Sequence, residues 1–382
     1  MTARPLPLAL GGMVAMAAAM GIGRFVYTPI LPYMADALSL SPGDAGLIAS
    51  ANFLGYVGGA LVAATGILGG DRRTWALGAL AASAVTTAAM AATVSLPLFL
   101  ALRFAGGVAS ALVMVFGSAL VFDRLAEAGR PNLSHVHFAG VGLGIAISAV
   151  VVTSVGAAGG WSGQWLAAGA VAAAGFAAVL ILVPGGAGPA VASASAPAAP
   201  RRSAVPLAVA YGLFGFGYVI TATFVSAMVR TTPAIASVEP VVWLAVGLAA
   251  IPSVAFWTWI GRRIGNPASF ALACLVEAVG VAITVAVAHP AAVVAGAALL
   301  GGTFMGLTAL GLIMGRSLAE GDPRRMLAVL TASFGLGQMI GPAFAGYLSE
   351  ITGSYAAPSY AAATLLVVAA ALTKLIPARA RR

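Results

Sequence analysis

The sequence predicts an all-α integral membrane protein whose twelve transmembrane helices form two pseudo-symmetric six-helix bundles. Three observations support this fold class: an extreme apolar composition, twelve hydrophobic runs of spanning length, and a residue pattern that recurs between the two halves. Of the 382 residues, 61% are hydrophobic and 8% are charged, whereas soluble domains are about 45–50% apolar and about 25% charged. So little charge cannot cover the surface of a soluble fold, and we therefore expect the chain to lie in a lipid bilayer.

A transmembrane helix needs about 20 mostly apolar residues, because the hydrocarbon core is about 30 Å thick and each residue rises about 1.5 Å. Each run of this kind is expected to be helical, because irregular backbone cannot face lipid. Very short connections at 93–97 and 289–290 require antiparallel neighbours. The twelve predicted spans cover residues 7–34, 44–69, 74–93, 96–121, 135–159, 164–184, 204–229, 240–260, 268–288, 290–317, 327–350 and 358–376.

The basic residues predict the orientation of the spans. With the N-terminus in the cytoplasm, sixteen of the 19 Lys and Arg residues fall at the cytoplasmic end, Arg230 falls at the opposite end, and Arg24 and Arg103 lie within spans. This bias predicts a multi-pass protein with both termini in the cytoplasm. The net charge of +9 is then a feature of topology and lipid headgroup contact, not of nucleic-acid binding. The excess of arginine over lysine is typical of a GC-rich bacterial genome. We therefore expect the membrane to be a bacterial cytoplasmic (inner) membrane.

Two further observations concern the organisation of the chain. The Pro-rich stretch at 185–203 reads as a cytoplasmic linker between an N-terminal bundle at 1–184 and a C-terminal bundle at 204–382. The N-terminal 21 residues also resemble a cleavable signal peptide. We favour a retained first span, because the internal repeat would otherwise lose its first element.

The internal repeat aligns residues 21–34 with residues 215–228 at an offset of 194, so that two glycines and a methionine coincide. Two arginine pairs after spans 2 and 8, and two Gly-x-Gly steps in spans 5 and 11, recur in the same order at nearly the same offset. Two such halves are typical of secondary transporters, whose binding site lies between the repeats.

Arg24 is the strongest functional candidate, because it lies near the middle of span 1. An arginine there costs about 2.5–3.5 kcal/mol on insertion scales, so it is expected to face a cavity or a partner. Tyr27 and Thr28 share its helical face, and span 7 offers Tyr218 and Thr221 at matching positions. We expect the two polar stripes to meet at a central cavity, where Arg24 binds an anionic group. Pro29 and Pro32 follow in the same span and should kink this helix, which suits a role in gating. The alternative is a structural arginine that bonds backbone carbonyls or a tyrosine.

Other polar residues within spans are further candidates. Arg103 in span 4 precedes a run of small residues, and it either binds solute or supports close helix packing. Asn52 and Tyr56 in span 2 and Gln338 in span 11 either line the cavity or form helix–helix hydrogen bonds. Glu277 in span 9 is the candidate for proton coupling. Its alternative is a neutral carboxyl, or one paired with a hydroxyl, on a peripheral helix.

The sequence predicts no cofactor and no metal site. Cys274 is the single cysteine, so neither an internal disulfide nor a zinc set is available. His135 and His137 point about 200° apart on a helix and cannot easily share an ion. The glycines of 335–341 lack the preceding strand of a dinucleotide loop, and no G-x-x-x-x-G-K-[ST] loop for ATP occurs. No catalytic Ser/His, paired Asp or H-E-x-x-H set lies at membrane depth, which disfavours an intramembrane enzyme.

At these residues the chain resembles the major facilitator superfamily, specifically its YbfB/YjiJ-type branch, over essentially its whole length. In the loop after span 2, Asp71 and two arginines follow Gly70, which stands at the usual acidic position of a longer pattern. The motifs that carry the resemblance are MGIGRFVYTPILPYM at 20–34, GLIASANFLGYVGGAL at 46–61, RFAGG at 103–107 and GQMIGPAFAG at 337–346.

The resemblance implies the major facilitator fold, with spans 1, 4, 7 and 10 around the cavity. It also implies alternating access by a rocker-switch motion and proton-driven transport. The loops after spans 2 and 8 would act in gating. The gating residues would be Asp71, Arg72, Arg73, Arg262 and Arg263.

We therefore predict a secondary active transporter, not an enzyme, that moves a small anionic or zwitterionic organic solute. A proton is the predicted coupling ion, membrane lipids are the other partners, and a monomer is expected. One alternative is a proton-linked multidrug exporter, which a wide apolar cavity would favour. Another is a receptor that binds without flux. The predicted substrate-binding residues are Arg24, Tyr27, Asn52, Arg103, Tyr218, Thr221 and Gln338.

Overall fold

The computed structural model describes residues 5–65, 67–185, 204–319 and 323–376. Within these ranges every regular element is a helix, and twelve helices are long and apolar enough to cross a membrane. The predicted all-α class with twelve spans is thus confirmed. The helices are α1 (Pro5–Leu38), α2 (Pro42–Ala64), α3 (Arg72–Ala92), α4 (Leu96–Glu127), α5 (Pro131–Val155), α6 (Gly160–Leu182), α7 (Val205–Thr231), α8 (Ala236–Ile264), α9 (Asn266–Ala286), α10 (Pro290–Leu318), α11 (Met326–Thr352) and α12 (Ala356–Leu375).

The helix ends follow local capping chemistry. The Ser41 side chain accepts a hydrogen bond from the Asp44 backbone and the Asp44 carboxylate accepts one from the Ser41 backbone, so α2 begins with a capping box and Pro42 at its first position. Asp71 caps α3 by accepting a hydrogen bond from the Thr74 backbone. α4 continues past its predicted end at residue 121, because its last turns are polar and extend beyond the apolar run.

Helix α1 is broken in its middle, as its prolines predict. A π-helical turn at Ala17–Ile22 is followed by turn residues 23–26 before α-helix resumes at Tyr27–Leu38. Pro29 has no N–H group and cannot supply the backbone donor that a continuous helix needs at its position. The Phe25 carbonyl, to which residue 29 would ordinarily donate, accepts from the Thr28 N–H at 3.2 Å instead, so Thr28 is lost as the donor to the Arg24 carbonyl. The carbonyl oxygens of Gly23 and Arg24, in the broken segment, therefore need partners from outside α1.

The two sequence halves form two groups of helices that meet through three pairs: α2 with α11, α5 with α8, and α1 with α7. Gly46 of α2 lies directly against the Pro342 carbonyl, and Gly247 of α8 lies directly against the α5 backbone at Ala146. A Cβ atom at either glycine would clash with that backbone, so both positions require glycine for close helix approach. The predicted linker at 185–203 lies outside the described residues apart from Gly185, and so do Arg4 at the N-terminus and Arg379, Arg381 and Arg382 at the C-terminus.

Three polar contacts between the halves lie at one end of the bundle, which we call the closed end. The Thr28 hydroxyl donates to the Ala222 carbonyl at 2.6 Å, and Arg230 forms an ion pair with Asp36 at 3.1 Å. The Gly43 backbone donates to the Glu350 carboxylate at 3.1 Å. The opposite end carries the connections from α2 to α3 and from α8 to α9. We call it the open end, because the hydrogen bonds and ion pairs that join the halves within the described ranges lie at the closed end or near the middle of the bundle.

Candidate functional site

Arg24 lies at the junction of the two halves, and its side chain is 3% exposed. Its guanidinium carbon lies 4.4 Å from the centre of the Phe53 ring and 4.3 Å from the centre of the Tyr56 ring. Its Nη2 atom donates to Gln338 Oε1 at 2.9 Å. Among the described residues, Arg24 forms no ion pair with any carboxylate. The cation is therefore held by aromatic rings and by a neutral amide oxygen.

Gln338 continues a hydrogen-bonded chain that joins the halves. Its Nε2 atom donates to the Tyr218 hydroxyl oxygen. Arg24 on α1, Gln338 on α11 and Tyr218 on α7 are thus linked, and all three are buried. The predicted meeting of the polar faces of α1 and α7 occurs, but through a residue of α11.

An aromatic cluster surrounds this chain on the C-terminal side. The Tyr218 ring lies nearly parallel to Phe304, at 8° and 5.5 Å between centres, and to Phe334, at 4° and 5.9 Å. Phe25 contacts Phe304 edge-on at 6.1 Å. The sequence reasoning missed these phenylalanines and Phe53, because an aromatic residue in an apolar span resembles a lipid-facing one. The available signal was helical spacing, since Phe334 precedes Gln338 by one turn.

Arg103 uses its guanidinium on the backbone of α1. Its Nη1 donates to the Gly23 carbonyl at 3.1 Å, and its Nη2 donates to the Arg24 carbonyl at 2.9 Å. These are the carbonyls that the break in α1 releases from helical bonding. Arg103 therefore holds the segment that carries Arg24, and its terminal nitrogens are already occupied by protein atoms.

Three other predicted binding residues are buried among protein atoms. The Tyr27 hydroxyl donates to the Ala45 carbonyl at 2.9 Å, and Asn52 Nδ2 donates to the Arg103 carbonyl at 2.9 Å. The Thr221 hydroxyl is buried without a hydrogen-bond partner among the described residues. Tyr27 and Asn52 thus support the helices around Arg24, whereas Gln338 and Tyr218 reach its hydrogen-bond chain.

Glu277 is fully buried in α9, so its helix does not expose it to lipid. Neither carboxylate oxygen has a hydrogen-bond partner within the described ranges. Tyr218 on α7 and Cys274 on α9 interact with it electrostatically. An unpartnered carboxylate in such surroundings is costly when charged. Glu277 is therefore a buried carboxyl group that takes no part in the hydrogen-bonded chain of Arg24, Gln338 and Tyr218.

The predicted gating loop after α2 ties helices of the N-terminal half together. Arg72 forms an ion pair with Asp123 of α4 at 2.6 Å, and Arg73 donates to backbone carbonyls at the end of α6. Slight burial opposes ionisation of Asp71, but hydrogen bonds from Thr74 outweigh it and hold the pKa of Asp71 below its ordinary value. These contacts join α3, α4 and α6 at the open end.

The second predicted gating pair, Arg262 and Arg263, is exposed at the end of α8. The Arg263 guanidinium lies 5.0 Å from the centre of the Trp259 ring.

His137 shares a hydrogen bond with Ser118 at 2.9 Å. No cluster of three or more His, Cys, Asp or Glu residues that could hold a metal occurs in the part of the chain that the structure describes.

Comparison with known proteins gives one family and one fold. The family described as "Uncharacterised MFS-type transporter YbfB" matches residues 16–374. A crystal structure of a mutant of the nucleoside transporter NupG superposes with a TM-score of 0.74 at 14% identity, covering 97% of this chain and 100% of that chain. A second NupG structure gives 0.70 at 15% identity, covering 98% and 99%. At these identities the likeness shows the fold alone. No curated protein matches the sequence significantly.

Proposed function

Because the chain belongs to the YbfB-type family of major facilitator superfamily transporters and has the major facilitator fold, we propose that it is a secondary active transporter for a small organic anion. The observation that carries the proposal is a buried arginine at the junction of the halves, Arg24, whose hydrogen-bond partner is a neutral amide. Zwitterions with an accessible carboxylate belong to the same class. The protein would act as a monomer in a bacterial inner membrane.

The state of Arg24 favours an anionic substrate. A carboxylate is a stronger partner for a guanidinium than a neutral amide oxygen is, because it carries the opposite charge and can accept two parallel hydrogen bonds. An incoming anion can therefore replace the Gln338 oxygen at the guanidinium, while Gln338 keeps Tyr218 as a partner. A cationic drug would meet repulsion at the same point, so the multidrug-exporter alternative receives no support from this contact.

Alternating access follows from the asymmetry of the two ends. The halves contact each other at the closed end through Arg230 with Asp36 and through Glu350 with the start of α2. These contacts would break when the halves rock about the junction that holds Arg24. The distribution of basic residues assigns the open end to the cytoplasm. We therefore regard the described conformation as open towards the cytoplasm.

Proton coupling is assigned to Glu277. Its carboxylate is buried, lacks a hydrogen-bond partner among the described residues, and interacts with Tyr218. Tyr218 leads through Gln338 to Arg24. Loss or gain of a proton at Glu277 would change the electrostatic environment of Tyr218 and, through it, the strength with which Arg24 binds an anion.

Flux into proteoliposomes tests the proposal. Purified protein is screened against labelled organic anions, zwitterions and cations, with and without a pH gradient. We expect an anion to accumulate, and we expect Arg24→Ala to abolish its flux while the variant stays folded. Arg130→Ala, an exposed arginine in the loop between α4 and α5, is the matched control and should transport normally. Normal flux in Arg24→Ala, or ligand binding with no flux of any solute, would overturn the proposal.

A further inference from the structure

The surroundings of Arg24 narrow the chemistry of the solute. We propose that the substrate is a planar aromatic monoanion of the aromatic carboxylate class, with its carboxylate at Arg24 and its ring between Tyr56 and Phe334. The proposal rests on the transport function proposed above and names the substrate class of that same site.

The charges near the junction favour a single negative charge. The buried charged side chains among the described residues are Arg24, Arg103, His137 and Glu277. Arg103 is occupied by backbone carbonyls, and His137 binds Ser118 within the N-terminal half. Glu277 is enclosed on α9, which packs mainly against α10 and α12. One cation is therefore available to a ligand, and no carboxylate within the described ranges reaches it to hold a substrate ammonium group.

Two aromatic side chains lie on the open side of Arg24. Helix α2 runs from the closed end to the open end, so Tyr56 lies further towards the open end than Phe53 does. Helix α11 runs in the opposite direction, so Phe334 lies one turn closer to the open end than Gln338 does. One helical turn rises about 5.4 Å, which is about the length of a benzoate ion. Tyr56 and Phe334 are both partly exposed, unlike the buried rings behind them.

The orientation of these two rings is held by their neighbours. Phe334 stacks on Tyr211 at 4.9 Å and lies parallel to Tyr218. Tyr56 lies against the Arg24 guanidinium at 4.3 Å. Pre-oriented, partly exposed rings favour an aromatic ligand, because aromatic pairs gain about 0.5–1.5 kcal/mol beyond their buried area and a saturated ring does not. A carboxylate conjugated to the ring lies in the plane of the ring, and bidentate contact places the guanidinium in the plane of the carboxylate.

Calorimetric titration of the full-length protein in nanodiscs tests the substrate class with three probes of matched size. Benzoate carries a ring and a charge, cyclohexanecarboxylate carries the charge alone, and benzamide carries the ring alone. We expect benzoate to bind about tenfold more tightly than cyclohexanecarboxylate, and benzamide to give no measurable binding. Equal affinities for the two anions, or tight binding of benzamide, would overturn the proposal.

A variant pair on one helix sharpens the test. Phe334→Leu should reduce the preference for benzoate over cyclohexanecarboxylate to nearly none. Phe344→Leu, whose ring packs on Phe216 at 5.3 Å, should leave the preference unchanged. A full preference in Phe334→Leu would exclude Phe334 as a wall of the site and overturn the proposal. If no probe binds while the flux screen finds another transported solute, this substrate class is wrong and the transport function stands.

Discussion

Arg24 on α1 and Arg103 on α4 are two buried arginines of the N-terminal half, and their guanidinium groups donate hydrogen bonds to different kinds of acceptor. Arg103 gives both terminal nitrogens to backbone carbonyls of the broken helix. Arg24 gives one to the side-chain amide of Gln338, which belongs to the other half and has a second partner. Backbone carbonyls at a helix break have no substitute donor, whereas a side-chain amide can rotate away. The comparison separates an arginine that fixes structure from one that can exchange its partner.

The largest expected effect is on stability, in the methionine variants of the two arginines. Arg103→Met leaves two buried carbonyls without donors and should lower the free energy of unfolding by about 2–4 kcal/mol. Arg24→Met removes a buried charge whose acceptor, the Gln338 amide, keeps Tyr218 as a second partner. Its stability should be unchanged or higher, because replacing a buried charge with an apolar residue is often neutral or stabilising. Melting curves of the purified variants decide. Equal destabilisation of both would remove the distinction.

The next effect concerns the exchangeable partner. Gln338→Glu supplies a permanent carboxylate to Arg24, so the affinity for a transported anion should fall by about tenfold or more. Gln338→Met is the control: it offers no competing oxygen and should keep the affinity within a few-fold of wild type. Titration of both variants with the anion found in the flux screen provides the measurement. An unchanged affinity in Gln338→Glu would show that the substrate does not replace the Gln338 side chain at the Arg24 guanidinium.

A third prediction concerns the pH dependence of flux. Glu277→Gln removes the group to which the proton is assigned, so flux should continue but lose its response to a pH gradient. Glu127→Gln, an exposed carboxylate at the end of α4, should respond as the wild type does. Flux is measured in proteoliposomes with the internal and external pH set separately. A normal pH response in Glu277→Gln would exclude Glu277 as the proton carrier.

The smallest effect is expected at the closed end. The side chain of Asp36 is 64% exposed, so its ion pair with Arg230 contributes less than about 1 kcal/mol. Asp36→Asn should therefore increase the fraction of time for which the closed end is open only a few-fold. An impermeant maleimide reacting with Ser226→Cys, in a background of Cys274→Ser, reports that opening. Asp123→Asn breaks an ion pair at the open end and should leave the labelling rate unchanged. Equal rates for wild type and Asp36→Asn would contradict the role of this contact.

The sequence predicts the fold and the centre of the site for clear physical reasons. Twelve apolar runs of spanning length leave no other arrangement than membrane helices. A charge in such a run is conspicuous, so Arg24, Arg103 and Glu277 stand out from their apolar surroundings. Gln338 and Tyr218 stand out in the same way as polar side chains in apolar spans.

The pairing of these residues could not be predicted from the sequence. Arg24 and Gln338 are 314 residues apart, and spans that are apolar on every side do not reveal which faces meet. The sequence does not decide between binding and packing for Arg103, because its role depends on where α1 breaks. Phe53, Phe304 and Phe334 could not be singled out, because buried and lipid-facing aromatic residues have the same sequence signature.

The central claim is that an anionic oxygen takes the place of the Gln338 amide at Arg24. A structure of the protein with 4-bromobenzoate tests it most directly, because the anomalous signal of bromine fixes the position and direction of the ligand. We predict the carboxylate within about 3 Å of the Arg24 guanidinium, with Gln338 turned away and bromine towards the open end. A ligand bound elsewhere, with the bond between Arg24 and Gln338 intact, would contradict the account.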